Sequence, residues 1–316
     1  MDEQRPAAVV VGVDGSRTAL RAVSWATREA RRRGAALRIV HAAPYADGNA
    51  AGERRASSIL TLAHTVATQT LPGVPTVTER LTGPMPRALV DAGAEAQLLV
   101  VGMSGGSRFD DVLLHSVALQ VCALATCPVA VVRGHQFSGP ADGPVVLAVE
   151  DATSDAPAVT VAFADAQHHA SRLAVVHAVH AGGPTSLRSG YDARVALEGE
   201  ILDSLRPWRS GHPDVPVDLQ VVSGAAAGHL LEASVTARLL VLGTRARGAA
   251  ARAILGSTSR TVLSRSSCPV LVVRRDAVLA ESTAPPSATP PGLTRGPERW
   301  APERWALHPQ DRSERW

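Results

Sequence analysis

Two segments of the chain combine glycine with serine in a pattern that suits phosphate binding. Glycines let the backbone approach an anion closely and expose its N–H donors, and a serine at a helix N-terminus adds a hydroxyl where the helix dipole favours negative charge. Each segment follows a short apolar run, so both are predicted to be strand-to-helix loops that hold phosphates. The residues concerned are Gly102, Gly105 and Ser116 in the first segment, and Gly243, Gly256 and Ser257 in the second.

Charged side chains distinguish the two segments. The second contains Arg245 and Arg247 and no carboxylate, whereas the first places Asp110 and Asp111 shortly after Arg108. Charge-assisted hydrogen bonds from arginine to phosphate are about twice as strong as neutral ones. On electrostatics, the second segment is therefore predicted to be the better phosphate site.

An acidic residue follows the first apolar run in each half of the chain. These residues are Asp14 and Glu150, which are 136 positions apart, and His41 and His177 are separated by the same 136 positions. In the later segments, Gly102 and Ser116 recur as Gly243 and Ser257 at an offset of 141. A repeat of about 140 residues is large enough to bury its own core, so the chain is predicted to be a duplicated domain.

The composition excludes several classes of protein. All 32 cations are arginine, and lysine is absent. A P-loop, a protein kinase and a pyridoxal phosphate enzyme each need a lysine, so none of these is expected. The formal net charge of +3 is too small to indicate nucleic acid as the main partner.

Targeting and metal-binding patterns are missing from the sequence. The N-terminus lacks the cationic and then apolar layout of a signal peptide, and the apolar runs are shorter than the about 20 residues of a membrane span. The three cysteines are too few for a disulfide framework or a zinc site, and the histidines lack carboxylates at ligand spacing. We therefore expect a cytoplasmic protein without a membrane segment or a metal site.

Strand-sized apolar runs alternate with helical patterns in both halves. This alternation, with strands apolar at nearly every position, predicts an α/β fold whose parallel sheet is covered on both faces. Helices are predicted to begin at Ser116 and Ser257, and one helix is predicted over 192–208. The final strands, 129–132 and 270–273, are apolar edges that are expected to pair with each other or with a second chain.

The predicted domains are residues 7–134 and 144–275, joined by a linker rich in glycine and followed by a tail at 276–316. The tail contains seven prolines and few large aliphatic residues, and it repeats Glu-Arg-Trp three times. Such a composition buries too little apolar surface to offset the entropy of ordering, so we expect the tail to be disordered. Its tryptophans are candidate anchors for an unidentified protein partner.

The glycine segments resemble the G-x2-G-x9-G-(S/T) loop of the universal stress protein family. The Val-Gly-Val-Asp-Gly-Ser start, the strands that end in histidine and the Cys-Pro-Val endings extend the resemblance over both halves, but not over the tail. The resemblance implies two tandem doubly wound parallel sheets, each with five strands in the order 3-2-1-4-5. It also implies dimerisation through the final strand.

In ATP-binding members of this family, the ends of the first two strands hold the adenosine and the glycine loop holds the phosphates. The resemblance therefore implies ATP, with its Mg²⁺, as the ligand. The matching residues are Asp14, His41, Gly102, Gly105 and Ser116 in the first half, and Glu150, His177, Gly243, Arg245, Arg247, Gly256 and Ser257 in the second.

Both halves depart from the family pattern. The first has His115 in place of the third glycine, and the second has Ala246 in place of the second glycine and Glu150 in place of aspartate. A side chain at a position that needs a positive φ costs on the order of 1 kcal/mol. The adenosine side is therefore better preserved in the first half, and the phosphate side in the second.

Three functions remain open from the sequence. The first is a stress-response regulatory factor that binds ATP, and the second is a slow ATP hydrolase. The third is a dimeric scaffold that binds no nucleotide, in which the glycines only allow a tight crossing from strand to helix. No general acid–base pair or nucleophile constellation stands out, so no catalytic residue is assigned.

Overall fold

Strands and helices alternate through the first half as the sequence predicts. In a computed structural model of the chain, the described residues are 7–103, 109–133, 142–179, 191–244 and 255–279, without the side chains of 109–116 and 191–193. The elements of this first repeat are β1 (Val9–Gly12), α1 (Arg17–Arg32), β2 (Leu37–Ala42), a 3-10 turn (Pro44–Ala46), α2 (Ala50–Thr70), β3 (Thr76–Leu81), α3 (Met85–Ala92), β4 (Leu98–Met103), α4 (Phe109–Leu124) and β5 (Val129–Arg133).

The second repeat follows the same order, with one additional helix. Its elements are β6 (Val145–Ala148), α5 (Ala156–His168), β7 (Leu173–Val179), α6 (Tyr191–Ser204), α7 (Arg206–Gly211), β8 (Val217–Ser223), α8 (Ala226–Ser234), β9 (Leu239–Thr244), α9 (Ser257–Arg265) and β10 (Val270–Arg274).

The ten strands of the described residues form one sheet. Its order is β3-β2-β1-β4-β5-β10-β9-β6-β7-β8, so each repeat has the predicted order 3-2-1-4-5. Strands within a repeat are parallel, whereas β5 and β10 pair antiparallel, with Ala130 opposite Leu271. The final strands of the two repeats, β5 and β10, therefore pair with each other inside the chain, which was one of the two predicted arrangements. This pairing joins the two expected sheets into one.

The hydrophobic core continues across the junction of the two repeats. Side chains alternate between the sheet faces, so Val9 and Val11 belong to one apolar cluster and Val10 to another. Each of these clusters contains residues of both repeats, and both repeats fall in the same compact unit. The two halves are thus stabilised together.

The helix after the first glycine segment begins earlier than predicted. α4 starts at Phe109, so Ser116 lies about two turns inside it, and the predicted boundary was wrong. Asp110 and Asp111 fall in the first turn, where the helix dipole favours carboxylates. Because His115 is also helical, the strain expected from a positive φ at this position does not arise. In the second repeat, α9 begins at Ser257 as predicted, with Gly256 as its N-cap residue.

The single helix predicted over 192–208 was wrong, because the structure divides it into α6 and α7. Pro207 lies in the first turn of α7, where its missing N–H is not needed. Inside a continuous helix it would remove a hydrogen bond and clash with the preceding turn. Leu205 at the break is fully buried, so the break also places an apolar side chain in the core.

The chain keeps its contacts beyond the predicted start of the tail. Arg274 pairs with Asp276 at 2.6 Å, and the N–H of Val278 donates to the carbonyl oxygen of Thr126 at 2.8 Å. Ala277 packs against the core. Residues 276–278 therefore make contacts with the folded part. The rest of the predicted tail, 280–316, lies outside the described residues.

Candidate functional site

A cleft opens at the carboxyl ends of β1 and β4 in the first repeat. Its lining includes Asp14, Thr18 and Gly102 together with the apolar side chains of Met85 and Leu89. In the strand order 3-2-1-4-5, the connections diverge between β1 and β4, which is where open α/β sheets bind their ligands. We call this cleft the first crevice.

Asp14 holds the turn that leads from β1 into α1. Its Oδ1 accepts a hydrogen bond from the N–H of Ser16 at 2.8 Å, and the Ser16 hydroxyl accepts one from the N–H of Ala19 at 3.1 Å. Ser16 is thus the N-cap residue of α1, and Ser16 and Ala19 both line the first crevice. The N-terminus of a 16-residue helix therefore borders the crevice, where its dipole favours an anion.

The two predicted histidines connect the ends of neighbouring strands. The Nδ1 of His41 lies 2.6 Å from the carbonyl oxygen of Val13, and the Nδ1 of His177 lies 3.2 Å from that of Val149. Because a carbonyl oxygen only accepts, each Nδ1 must carry the donated proton. Burial lowers the pKa of His177, although its bond to the Val149 carbonyl acts in the opposite direction. Both histidines therefore have a structural role, because they tie the ends of neighbouring strands together.

Tyr45, which the sequence analysis did not select, completes the surroundings of His41. Its hydroxyl lies 2.8 Å from the Nε2 of His41, so both ring nitrogens of His41 have protein partners. The guanidinium of Arg55 lies 5.5 Å from the centre of the Tyr45 ring, within cation–π range. The only sequence signal for this group was an aromatic residue shortly after the second strand.

The glycines of the predicted phosphate loops have different neighbours. A Cβ on Gly102 would lie 3.1 Å from backbone atoms of Thr18 and Ala19, so the lack of a side chain allows α1 to pack against β4. A Cβ on Gly256 would meet none of the described atoms within 4 Å. Close packing therefore explains why residue 102 is a glycine. Packing among the described residues gives no such reason for Gly256.

In the second repeat, a carboxylate lies against the corresponding glycine. The Oδ2 of Asp155 accepts hydrogen bonds from the N–H groups of Glu150 at 3.0 Å and Asp151 at 3.4 Å. Its Oδ1 accepts bonds from the Nε and Nη2 of Arg275, both at 3.2 Å. A Cβ on Gly243 would lie only 2.9 Å from this Oδ1. We call this group of five residues, which corresponds in position to the first crevice, the second crevice.

The comparisons with known proteins agree with this fold. The sequence model of the universal stress protein family matches residues 7–133 and 143–274. The chain belongs to the universal stress protein family. Universal stress protein Rv1996 of Mycobacterium tuberculosis is 30% identical over 305 residues, which cover 86% of this chain and 96% of the relative. Universal stress protein Rv2005c of the same organism is 29% identical over 286 residues, which cover 84% of this chain and 97% of the relative.

Among solved structures, a universal stress protein from Archaeoglobus fulgidus has a similar fold. Its TM-score is 0.64 at 20% sequence identity, and the match covers 86% of this chain and 97% of that one. The similarity extends over both repeats. The tandem arrangement of two universal stress protein domains therefore has a counterpart of nearly the same extent.

Several predicted site residues of this universal stress protein come together, and others cannot be located. Asp14 and Gly102 share the first crevice. In the second crevice, the N–H of Glu150 donates to the Asp155 carboxylate, and Gly243 lies next to the same carboxylate. Ser257 is the first residue of α9, and the backbone of Ser116 lies within α4. The remaining loop residues, Gly105, Arg245 and Arg247, lie outside the described residues.

The described part of this universal stress protein offers no group of three or more histidine, cysteine, aspartate or glutamate side chains able to hold a metal ion. Across the same ranges, the helices are too short or too polar to cross a membrane. The three cysteines are buried, and burial raises the pKa of Cys127 to about 11 and that of Cys122 and Cys268 to about 12. Their thiols therefore stay protonated near neutral pH and are poor nucleophiles.

Proposed function

We propose that this universal stress protein is a regulatory stress-response factor that binds an adenine nucleotide in the first crevice. The observation that supports this proposal is the contrast between the repeats. In the first crevice, beside the N-terminus of α1, the backbone of Ala19 lies against Gly102, whereas in the second the carboxylate of Asp155 lies against Gly243. ATP with its Mg²⁺ is the ligand we propose to test first.

The lining of the first crevice suits the two ends of a nucleotide. Met85, Leu89 and Val117 provide an apolar surface for a flat base. Asp14 stands at the end of β1, where its carboxylate can accept hydrogen bonds from ribose hydroxyls. The N-terminus of α1 and the backbone at Gly102 lie on the side where N–H donors can hold phosphates.

This proposal differs from the prediction made from loop charge. Arg245 and Arg247 favour the second repeat as the phosphate site, and that prediction remains to be tested. The described contacts favour the first repeat, because an anionic ligand in the second crevice would meet Asp155 next to Gly243. Like charges at such short range oppose binding.

Titration calorimetry of the full chain with Mg·ATP tests the proposal. We expect the wild type to bind one ATP per chain, and Asp14→Ala to weaken binding by about tenfold or more, the loss of a hydrogen bond to a charged group. Glu150→Ala is the matching change in the second repeat, and we expect its affinity to equal that of the wild type. Unfolding midpoints of both variants show whether the fold is retained.

Two results would reject the proposal. One is a wild type that binds neither ATP nor AMP at millimolar concentrations. The other is the reverse pattern, in which Glu150→Ala loses binding and Asp14→Ala keeps it. Phosphate release from the same samples distinguishes a binding protein from the alternative of a slow ATP hydrolase.

A further inference from the structure

We infer that the carboxylate of Asp155 is an internal competitor that excludes nucleotide phosphates from the second crevice. The inference rests on the proposed nucleotide binding, because it concerns which repeat can take part. It also assigns a specific role to Arg275, as the cation that a phosphate would use if Asp155 were neutralised. The ligand class concerned is phosphate attached to a nucleoside.

The partners of Asp155 are those that usually bind a phosphate oxygen. Two consecutive backbone N–H groups, of Glu150 and Asp151, donate to Oδ2, and a guanidinium donates twice to Oδ1. Backbone N–H groups and arginine are the standard donors of phosphate sites. Asp155 therefore satisfies, from within the chain, donors that could otherwise hold a ligand.

The position of Asp155 at the start of α5 strengthens this reading. Asp155 is the N-cap residue of α5, yet its side chain makes no capping hydrogen bond and turns back toward the end of β6. Only 7% of the side chain is exposed, so its charge is poorly screened by water. A phosphate entering the second crevice would have to separate Asp155 from Arg275 and then remain beside the displaced carboxylate.

In the first repeat, the position equivalent to Asp155 carries no carboxylate. Ala19 lies 136 positions before Asp155, the offset that also relates Asp14 to Glu150. Ala19 lines the first crevice, where its backbone lies against Gly102, whereas in the second repeat the side chain of Asp155 lies against Gly243. The backbone of Ala19 in one repeat and the carboxylate of Asp155 in the other therefore lie against equivalent glycines. One residue can account for a difference in anion binding between the repeats.

Exchange of this residue between the repeats tests the inference. Asp155→Asn keeps the size of the side chain and an oxygen acceptor for the Glu150 N–H, but removes the charge. In Mg·ATP calorimetry of the full chain, we expect this variant to bind one more ATP than the wild type. Adding Arg275→Ala should weaken the new site by about tenfold or more, because the phosphate loses a charged donor.

The reciprocal change addresses the first repeat. Ala19→Asp should abolish its ATP binding, whereas Ala19→Asn has nearly the same size without the charge and should retain more affinity. Adenosine, which carries no phosphate, separates charge from shape. Adenosine binding should be the same in the wild type and in Asp155→Asn, since the competition concerns phosphate alone.

The outcomes separate this inference from the proposed function. If the wild type binds one ATP and Asp155→Asn also binds one, the inference is wrong and the proposed function stands. If the wild type binds none and Asp155→Asn binds one, the inference stands and the proposed site in the first repeat is wrong. A second site that adenosine fills equally well would mean that the effect of Asp155 does not depend on phosphate, which also overturns the inference. Asp155→Ser replaces Asp155→Asn if the latter unfolds.

Discussion

Gly102 and Gly256 occupy matching loops, but different physical constraints act on them. Gly102 lies against the backbone of α1, which cannot rotate away as a side chain could. Gly256 has an ordinary φ of −60° and open space where a side chain would project. The family pattern therefore contains one glycine that the fold requires and one that packing among the described residues leaves unexplained.

We expect Gly102→Ala to lower the free energy of unfolding by about 1–3 kcal/mol, the usual effect of overpacking. Gly256→Ala should lower it by only about 0.5 kcal/mol, because alanine is a poorer N-cap residue than glycine. Urea unfolding of the full chain measures both. Equal effects would mean that α1 shifts to accept the new methyl group, and the packing explanation of Gly102 would be lost.

At the scale of elements, the ends of α1 and α5 meet in a buried charge cluster. Glu29 and Arg33 come from the first repeat, and Asp165 and His169 occupy the same positions in the second, 136 residues later. Arg33 pairs with Glu29 on its own helix and with Asp165 on the other. The Nε2 of His169 lies 3.3 Å from Oε1 of Glu29. Each repeat thus contributes one nitrogen-bearing side chain, Arg33 or His169, that lies against a carboxylate of the other repeat.

The charge state of Glu29 depends on these partners. Burial alone would raise the pKa of its carboxyl, but the charge of Arg33 and the hydrogen bond from His169 outweigh burial and hold the pKa well below its usual range. Glu29 is therefore ionised inside the protein. Removing one member of such a cluster leaves an uncompensated buried charge, which is strongly destabilising.

We expect the free energy of unfolding to fall as the pH is lowered from about 5 to about 3. The pKa of Glu29 is lower in the folded state than its unfolded value of about 4.3, so its stabilising effect is complete above that value and is lost as the pH falls through the folded pKa. Glu29→Gln should therefore show a smaller fall than the wild type.

Urea unfolding at pH 7, 5, 4 and 3 measures this pH dependence. The control is Glu198→Gln, which changes a carboxylate of an i,i+4 pair with Arg194 on α6, away from the cluster. Its pH dependence should match that of the wild type. If Glu29→Gln also matches, the buried cluster does not set the acid sensitivity of the fold.

At the scale of the whole molecule, the β5–β10 pairing makes the two repeats one folding unit. The apolar clusters on both sheet faces contain residues of both repeats. The outer strands, β3 and β8, carry charged residues such as Glu79 and Asp218, and charged side chains discourage an edge from pairing with another chain. The apolar final strands of the two repeats, β5 and β10, are instead covered by pairing with each other within the chain.

The end of this unit can be located by truncation. We expect removal of residues 280–316 to leave the unfolding midpoint unchanged, because their composition offers no core. Removal of 276–316 should lower it by about 2 °C, since the Val278–Thr126 hydrogen bond contributes about 1 kcal/mol. Calorimetric scans of both truncations compare the two. If removal of 280–316 alone lowers the unfolding midpoint strongly, the tail packs against the folded unit.

Much of this architecture could be predicted from local sequence patterns. Apolar runs, each followed by a turn and a helical pattern, predicted the strands, and their repetition predicted the duplication. Ser257 was recognised at a helix start by the ordinary signals for the beginning of a helix. The start of α4 was missed although Asp110 and Asp111 were a local signal for it, because the family spacing suggested a helix at Ser116. The division between α6 and α7 could likewise have been predicted from Pro207.

By itself, the sequence determined the two repeats, their strand order through the family resemblance, and the acidic residue at the end of each first strand. Only the tertiary structure decided which distant charges meet. Asp155 and Arg275 are 120 residues apart, and Arg33 and Asp165 are 132 apart. Periodicity and turn chemistry describe neighbours along the chain, whereas these pairs form because two whole repeats pack together. With 32 cations and 29 anions of similar chemistry available, no local pattern could select the partners that the fold brings into contact.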